Sequence, residues 1–257
     1  MNAPAPKKLK DIIREAFSII EDTASNNEIR DRLKSAGKVT GTNLCMMVCA
    51  NIIACIGLNA GSVTVLIGAM LIEPLMGSIL MIAYGTVSAD RRLFKAYSLG
   101  FLFQILASVL ASTVYFFLTP VKEPTEELLS LTRPDLFDVI VAFIGGVAGV
   151  IGQTRTEKVN TIIPGVAIAT SLMPPLCVCG YAISAGDLRI LLGAAYLFLV
   201  NAYFIALGAS LVLSLFRIPR VEEMTEEDWR KARKRMIRNT LIFVIPALAA
   251  TVIRVLG

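Results

Sequence analysis

The sequence contains no histidine. A Ser–His or Cys–His catalytic pair is therefore excluded. A GxxxxGKS phosphate loop, an HExxH zinc motif and a GxSxG nucleophile elbow are also missing. With no second acid or metal partner in view, the chain does not read as an enzyme, and no cofactor or metal is expected. Cysteines are few: Cys45, Cys49, Cys55, Cys177 and Cys179, all inside apolar runs. That placement argues against a disulfide framework of the secreted kind. They read as small buried apolar side chains, with soft-metal binding as the alternative.

Charge is the scarcest property where it matters. Between Val39 and Ala89 the only charged side chain is Glu73. Over the whole chain 55% of residues are hydrophobic and 18% charged, which is too apolar for a soluble domain. The charges cluster at 1–38, 86–95, 120–138, 153–158 and 217–238. The runs between them are long enough to cross a bilayer, which takes roughly 20 apolar residues per helix. The fold class is therefore all-α: a polytopic helical membrane protein with about seven transmembrane segments. The segments are read at 40–58, 61–87, 95–118, 136–152, 159–185, 189–216 and 239–256.

The polar first 38 residues do not resemble a cleavable signal peptide. Leu9, Ile12, Ile13, Ala16, Phe17, Ile19 and Ile20 form one helical stripe there. Ser25-Asn26-Asn27-Glu28 has the capping-box pattern for a second helix, which Gly37 would end. This segment is expected to pack on the membrane part or on a neighbouring subunit, with partner binding as the alternative. The short loops set orientation. Arg91, Arg92, Lys95, Arg155, Lys158 and the basic run of 217–238 would face the cytoplasm, putting the N-terminus inside and the C-terminus outside. Residues 217–238 are read as a short helix near anionic headgroups, its start at Thr225-Glu226-Glu227-Asp228. The organisation is then a cytoplasmic helical segment (1–38), repeat 1 (39–118), an external loop (119–135), repeat 2 (136–216), a basic loop or helix (217–238) and a seventh span (239–257). The +5 net charge reflects this topology, and no nucleic-acid partner is implied.

The word repeat rests on a shift of 97 positions without a gap. It places Thr64 on Thr161, Gly68 on Gly165, Leu75-Met76 on Leu172-Met173 and Tyr84 on Tyr181. It also places Asp90 on Asp187, Arg92 on Arg189, Phe101-Leu102 on Phe198-Leu199 and Gln104 on Asn201. Three spans per copy is an odd number, so the second copy would lie inverted. Inverted three-helix repeats with interrupted helices are a recurring plan in secondary transporters, with the site near the bilayer midplane.

Both second helices carry breakers. In repeat 1 these are Glu73-Pro74, flanked by Gly68 and Gly77; in repeat 2 they are Pro164-Gly165 and Thr170-Ser171, then Pro174-Pro175. Proline removes a backbone donor and displaces the carbonyl one turn earlier. Those groups need partners in lipid, so two breaks imply a polar or wet enclosure between them. Half-helices beginning there point N–H groups into it, which favours an anion. Glu73 costs on the order of 3 kcal/mol at this depth unless protonated, paired or hydrated. It is read as a coupling carboxylate for a proton or Na⁺, or else as a structural cap. Thr170 takes its place in the second copy. Amides and hydroxyls of second rank are Asn51, Gln104, Asn160, Thr161, Thr170, Ser171 and Asn201, each also explicable as interhelical packing. Gly145, Gly146, Gly149 and Gly152 make the fourth span smooth enough for close helix contact, within or between subunits.

The pair GAMLIEPLMGSIL (68–80) and PGVAIATSLMPPLCVCG (164–180) resembles the prokaryotic membrane family of the hydrophobic domain of unknown function 389. The likeness covers about residues 40–216, with both motifs in the expected order. It implies a bacterial or archaeal inner-membrane protein and no settled substrate. Relatives resemble fusions with an extra soluble domain, where this chain has a short helical N-terminus. The functional expectation is a secondary transporter of a small, anionic solute, coupled to a proton or Na⁺. The site would comprise Glu73, Pro74, Gly77, Thr170, Ser171, Pro174, Pro175, Asn51, Gln104 and Asn201. An oligomeric channel and a non-transporting scaffold or sensor are the alternatives. Membrane lipid, the solute and further copies of the chain, in a homo-oligomer of undefined order, are the expected partners.

Overall fold

A computed structural model describes residues 23–72, 74–121, 123–155 and 172–221, together with 230, 234, 236–246, 248 and 252. The described residues are mostly helical, with no strand among them beyond one isolated bridge between Thr23 and Arg155. In chain order the helices are α1 (Asn26–Ala36), α2 (Gly41–Asn59), α3 (Val63–Met70), α4 (Leu75–Val87) and α5 (Arg91–Leu118). They continue with α6 (Glu126–Ser130), α7 (Leu136–Thr154), α8 (Met173–Ala185), α9 (Leu188–Leu215) and α10 (Met236–Pro246).

Four of them, α2, α5, α7 and α9, are long and apolar enough to cross a membrane. The pair α3 and α4, bent by 47° at its break, is of spanning length when taken together. Helices α8 and α10 are shorter and apolar. The expected fifth and seventh spans are thus represented by α8 and α10 alone, since 156–171 and much of 247–257 lie outside the described residues, as do the stripe of 8–20 and the helix start at 225–228.

The burial pattern of α5 is that of a helix in lipid. Its buried residues are Gln104, Ser108, Ser112 and Phe116, four apart on one stripe. Leu99, Leu102, Phe103, Leu106, Leu110 and Phe117 point outward. In water that arrangement would expose the apolar face and bury the polar one. In a bilayer it places hydrocarbon against hydrocarbon and polar groups against partners.

Caps decide where the long helices begin. Asp90 accepts from the backbone N–H of Arg92 (3.1 Å) and Leu93 (3.0 Å), so α5 starts at Arg91, four residues earlier than the apolar run alone indicates. Asp187 does the same for α9, accepting from Arg189 (2.9 Å) and Ile190 (3.1 Å). Asp135 and Asp138 form a reciprocal capping box on α7. Ser25 caps α1 through Glu28 N–H (3.4 Å), and Gly37 terminates it. Gly186, at φ 70°, ends α8 in the left-handed region that glycine enters without a Cβ penalty.

The element lengths recur. Helices α2 and α7 each have 19 residues, α4 and α8 each have 13, and α5 and α9 each have 28. The starts of α5 and α9 (Arg91, Leu188) and their ends (Leu118, Leu215) are both 97 positions apart. The packing recurs as well. Helix α4 lies on α5 as α8 lies on α9, and the short helices also cross over, α8 onto α5 and α4 onto α9. Helix α2 packs on α5 as α7 packs on α9.

One correction concerns individual residues. Cys45 and Cys49 are exposed on α2, while Cys55, Cys177 and Cys179 are buried as expected. A thiol is apolar enough to face lipid or core, so composition cannot separate the two. In the fourth span Gly146 and Gly149 make close contacts within the chain, one of the two uses read from the sequence. A Cβ on Gly146 would run into the carbonyl oxygen of Ile205 in α9, and one on Gly208 into that of Phe143 in α7. The external loop is not bare either. Its helix α6 is preceded by Thr125, whose hydroxyl donates to Leu58 O (2.7 Å), and it buries Leu128.

Candidate functional site

In the first break α3 ends at Met70 and α4 begins at Leu75, with Pro74 as its N-cap. Proline is tolerated at this edge because its missing N–H would have no intrahelical partner there. Leu71 and Ile72 are exposed, whereas Leu75, Met76, Gly77 and Ser78 are buried. The break therefore has one side toward the surrounding medium and one toward the protein. Glu73, between the two, lies outside the described residues.

In the second half α8 begins at Met173 after the buried Leu172. Pro174 and Pro175 sit in its first turn, both buried. They stand where the described part of α8 begins, a position that suits proline. The cause is positional: the first turn needs no N–H from them, and their fixed φ suits it. Thr170 and Ser171 lie outside the described residues, as do Asn160, Thr161, Pro164 and Gly165. Neither helix start carries a side-chain cap from its N-cap residue, Pro74 or Leu172.

Asn51 is fully buried in α2 and joins three helices. Its Nδ2 donates to Ser108 Oγ in α5 (2.6 Å) and to Cys177 Sγ in α8 (3.4 Å). Its Oδ1 accepts from Ser112 Oγ (2.9 Å) and from Cys55 Sγ (3.7 Å). A primary amide has two donors and one oxygen with two lone pairs, so Asn51 is saturated by these contacts. It ties the first half to α8 and has no remaining capacity for a ligand in this arrangement.

Gln104 is 1% exposed and stands one turn below that cluster. Its Oε1 accepts from Ser78 Oγ in α4 (2.7 Å), just past the break. Its amide nitrogen takes no part in that bond. Asn201 is likewise buried, on α9. Three residues before each of these amides stand Phe101 and Phe198, whose rings stack with centroids 6.0 Å apart and planes 20° apart. The two residues occupy matching places 97 positions apart, and they meet each other. Where two like units are related by a two-fold axis, equivalent residues meet only at that axis.

Gly77 is taken up by packing. A Cβ there would collide with Ala36 O and come within 3.0 Å of Gly37 N, at the end of α1. Of the sequence-derived candidates that are described, Gln104 is joined to α4 next to the first break, Asn51 belongs to a separate cluster above it, and Pro174 and Pro175 open α8. Ser78, Ser108, Ser112, Cys177 and the two phenylalanines were not among the candidates. The stripe Gln104–Ser108–Ser112 was legible as a four-residue period of polar groups in an apolar helix. The pairing of Asn51 with Cys177, 126 positions away, had no local signal.

Residues 70–207 match the family Domain of unknown function (DUF389). The chain belongs to the DUF389 family. The match runs from the last residue of α3, through both short helices and both stacked phenylalanines, into α9. An uncharacterised protein of Methanocaldococcus jannaschii is 28% identical over 189 residues, covering 74% of this chain. This DUF389 chain spans 58% of the length of that curated relative. No solved structure matches this chain.

Proposed function

We propose that this DUF389 protein is a secondary transporter of a small anionic solute. In this reading α2–α5 and α7–α9, the latter with the segment between α7 and α8, are two inverted halves of three spans each, and α10 belongs to a seventh span. The solute is held between the breaks that precede α4 and α8. The observation that carries the reading is the stacking of Phe101 on Phe198, equivalent residues in contact with each other. Equal helix lengths, matching aspartate caps and crossed packing of the short helices support the same symmetry. Two halves built alike and set against each other can rock about the shared axis, exposing the centre to one side and then the other.

The charge preference follows from the helix starts. The first turn of α4 directs the N–H groups of Leu75 and Met76 toward the break, and these favour negative charge. Prolines at 174 and 175 remove two such donors from α8, so the first half is the stronger anion partner. Glu73 would then repel an anion unless neutralised, which couples anion binding to uptake of a proton or Na⁺. The basic loops orient the N-terminus to the cytoplasm of a prokaryotic inner membrane. A homo-oligomer in the bilayer is compatible with the large apolar perimeter.

The test compares wild type with Glu73→Gln in liposomes, reading thermal shift and proton release across a panel of small anions with and without Na⁺. The expected result is a ligand that raises the unfolding temperature of wild type in a proton- or Na⁺-dependent way and leaves the variant unmoved. No shift with any ligand, together with equal stability of the two proteins, would reduce Glu73 to a structural cap and favour a non-transporting scaffold. The saturated hydrogen bonding of Asn51 would suit that second reading.

A further inference from the structure

Helix α10 runs antiparallel along α9, and two tyrosines fix its register. Tyr203 donates its hydroxyl proton to Met236 O (3.1 Å), and its oxygen lies 2.8 Å from Thr240 Oγ1. Two turns earlier on α9, Tyr196 donates to Phe243 O (2.8 Å). Arg238 stands between Met236 and Thr240 and is therefore level with Tyr203. Helix α9 has 28 residues and is about 42 Å long, against a hydrocarbon layer of about 30 Å. Tyr203 precedes the last residue, Leu215, by 12 positions, about 18 Å. An overhang of α9 at that end is at most about 12 Å, the difference of the two lengths, so the level of Arg238 falls inside the hydrocarbon. That is deeper than the surface placement expected for residues 217–238.

Arg238 is exposed there. Lys234 and Arg230, at four-residue steps before it, are also helical and exposed, so the three cations share one stripe. Neither Lys234 nor Arg238 has a hydrogen-bond or ion-pair partner among the described residues. On the other side of Arg238 the exposed side chains are apolar: Leu241, Ile242 and Ile245. A cation at bilayer depth is costly and takes an anionic partner.

The order along α10 says which anion fits. Side chains lean toward the N-terminus of their helix, so Arg238 extends toward Lys234 and toward the membrane surface at the C-terminal end of α9. Cations toward that surface and apolar groups toward the bilayer centre match a phospholipid, headgroup first and acyl chains after. A second copy related by a two-fold axis along the membrane normal would instead set like charges against each other. We propose that this stripe is a binding site for an anionic phospholipid of the leaflet at the C-terminal end of α9. Lys234 and Arg238 hold its phosphate, drawn inward from the surface, and Leu241, Ile242 and Ile245 carry its acyl chains. The site lies on the outer face of α10 and is independent of any solute site between the halves.

The test uses the full chain, delipidated in detergent, and reads unfolding temperature against the mole fraction of dioleoyl phosphatidylglycerol in the micelle. Wild type should show a saturable rise that dioleoyl phosphatidylcholine does not reproduce. Lys234→Gln and Arg238→Gln should each raise the half-saturating fraction about fivefold, and the pair about twenty-five-fold, as the loss of one and of two basic contacts with anionic lipid predicts. Arg189→Gln, exposed at the opposite end of α9, should leave it unchanged. Both stripe positions are exposed, so the variants should unfold at the wild-type temperature in phosphatidylcholine; if the double variant does not fold, the single ones carry the test. An equal rise with phosphatidylcholine, or a wild-type response in the stripe variants, would overturn the proposal. So would an equal rise with inorganic phosphate alone, which would mark a site for a free anion. A change of oligomer mass in Arg238→Gln without any dependence on lipid would assign the stripe to a carboxylate of another chain and overturn the lipid site as well.

Discussion

Gly146→Leu should leave almost no folded, monodisperse protein after extraction. A Cβ at Gly146 would meet the carbonyl oxygen of Ile205, a backbone atom of α9 that no rotamer change can remove. One turn along, Gly208 faces Phe143 O of α7 in the same way, so the two helices share a seam of backbone on backbone. Small residues are how membrane helices reach such contact, where dispersion and polar contacts replace the hydrophobic effect as the driving force. Leucine would force the helices apart along the whole seam, at the upper end of the overpacking range, about 3 kcal/mol or more. Gly68→Ala is the matched control. No atom stands within 4 Å of a Cβ at Gly68, so that variant should behave as wild type. Size-exclusion profiles and yields of the two variants decide the point. A well-behaved Gly146→Leu protein would mean that α7 and α9 do not pack through this seam.

Asn51→Leu should be the most destabilising change among the buried polar groups. It removes contacts to Ser108, Ser112, Cys177 and Cys55 at once. Interhelical hydrogen bonds in membrane proteins average about 0.6 kcal/mol each, so the three that leave α2, to Ser108, Ser112 and Cys177, amount to roughly 2 kcal/mol. The stranded hydroxyls can partly recover, since Ser112 already donates to Ser108 O (2.7 Å). The branched side chain then adds about 1 kcal/mol of misfit in a space shaped for a planar amide. A loss of about 3 kcal/mol follows, against roughly 0.6 kcal/mol for Ser112→Ala. Unfolding in mixed detergent measures both. If Asn51→Leu loses no more than Ser112→Ala, the cluster is not what joins α2, α5 and α8.

The parts of the fold that could be read from sequence are those governed by local rules. Long uncharged runs located the four helices of spanning length, α2, α5, α7 and α9, because hydrocarbon excludes charge. Asp90 and Asp187 could be recognised as matching positions, although their role as caps, which moves the start of α5 to Arg91, needed the backbone. Pro174 and Pro175 read as breakers, and they open the described part of α8; the residues before Leu172 lie outside the described ones. Cys45 and Cys49 were assigned to the interior, since lipid and core select the same small apolar side chains. The docking of α1 on Gly77 was invisible for another reason. Gly77 read as part of a helix break, and nothing local indicates that a distant backbone fills the space where its Cβ would be. Long-range pairings such as Asn51 with Cys177 depend on tertiary arrangement alone.

The central claim is that two like halves lie inverted about the Phe101–Phe198 contact. Arg91 and Leu188 open the two long helices at matching positions, and both are exposed. Single cysteines at these positions, in a background lacking Cys45 and Cys49, can be labelled with an impermeant maleimide in right-side-out and inverted vesicles. The account predicts that Arg91→Cys reacts only from the cytoplasmic side and Leu188→Cys only from the opposite side. Labelling of both from the same side would contradict the inverted arrangement, and with it the proposal of a solute site between the halves.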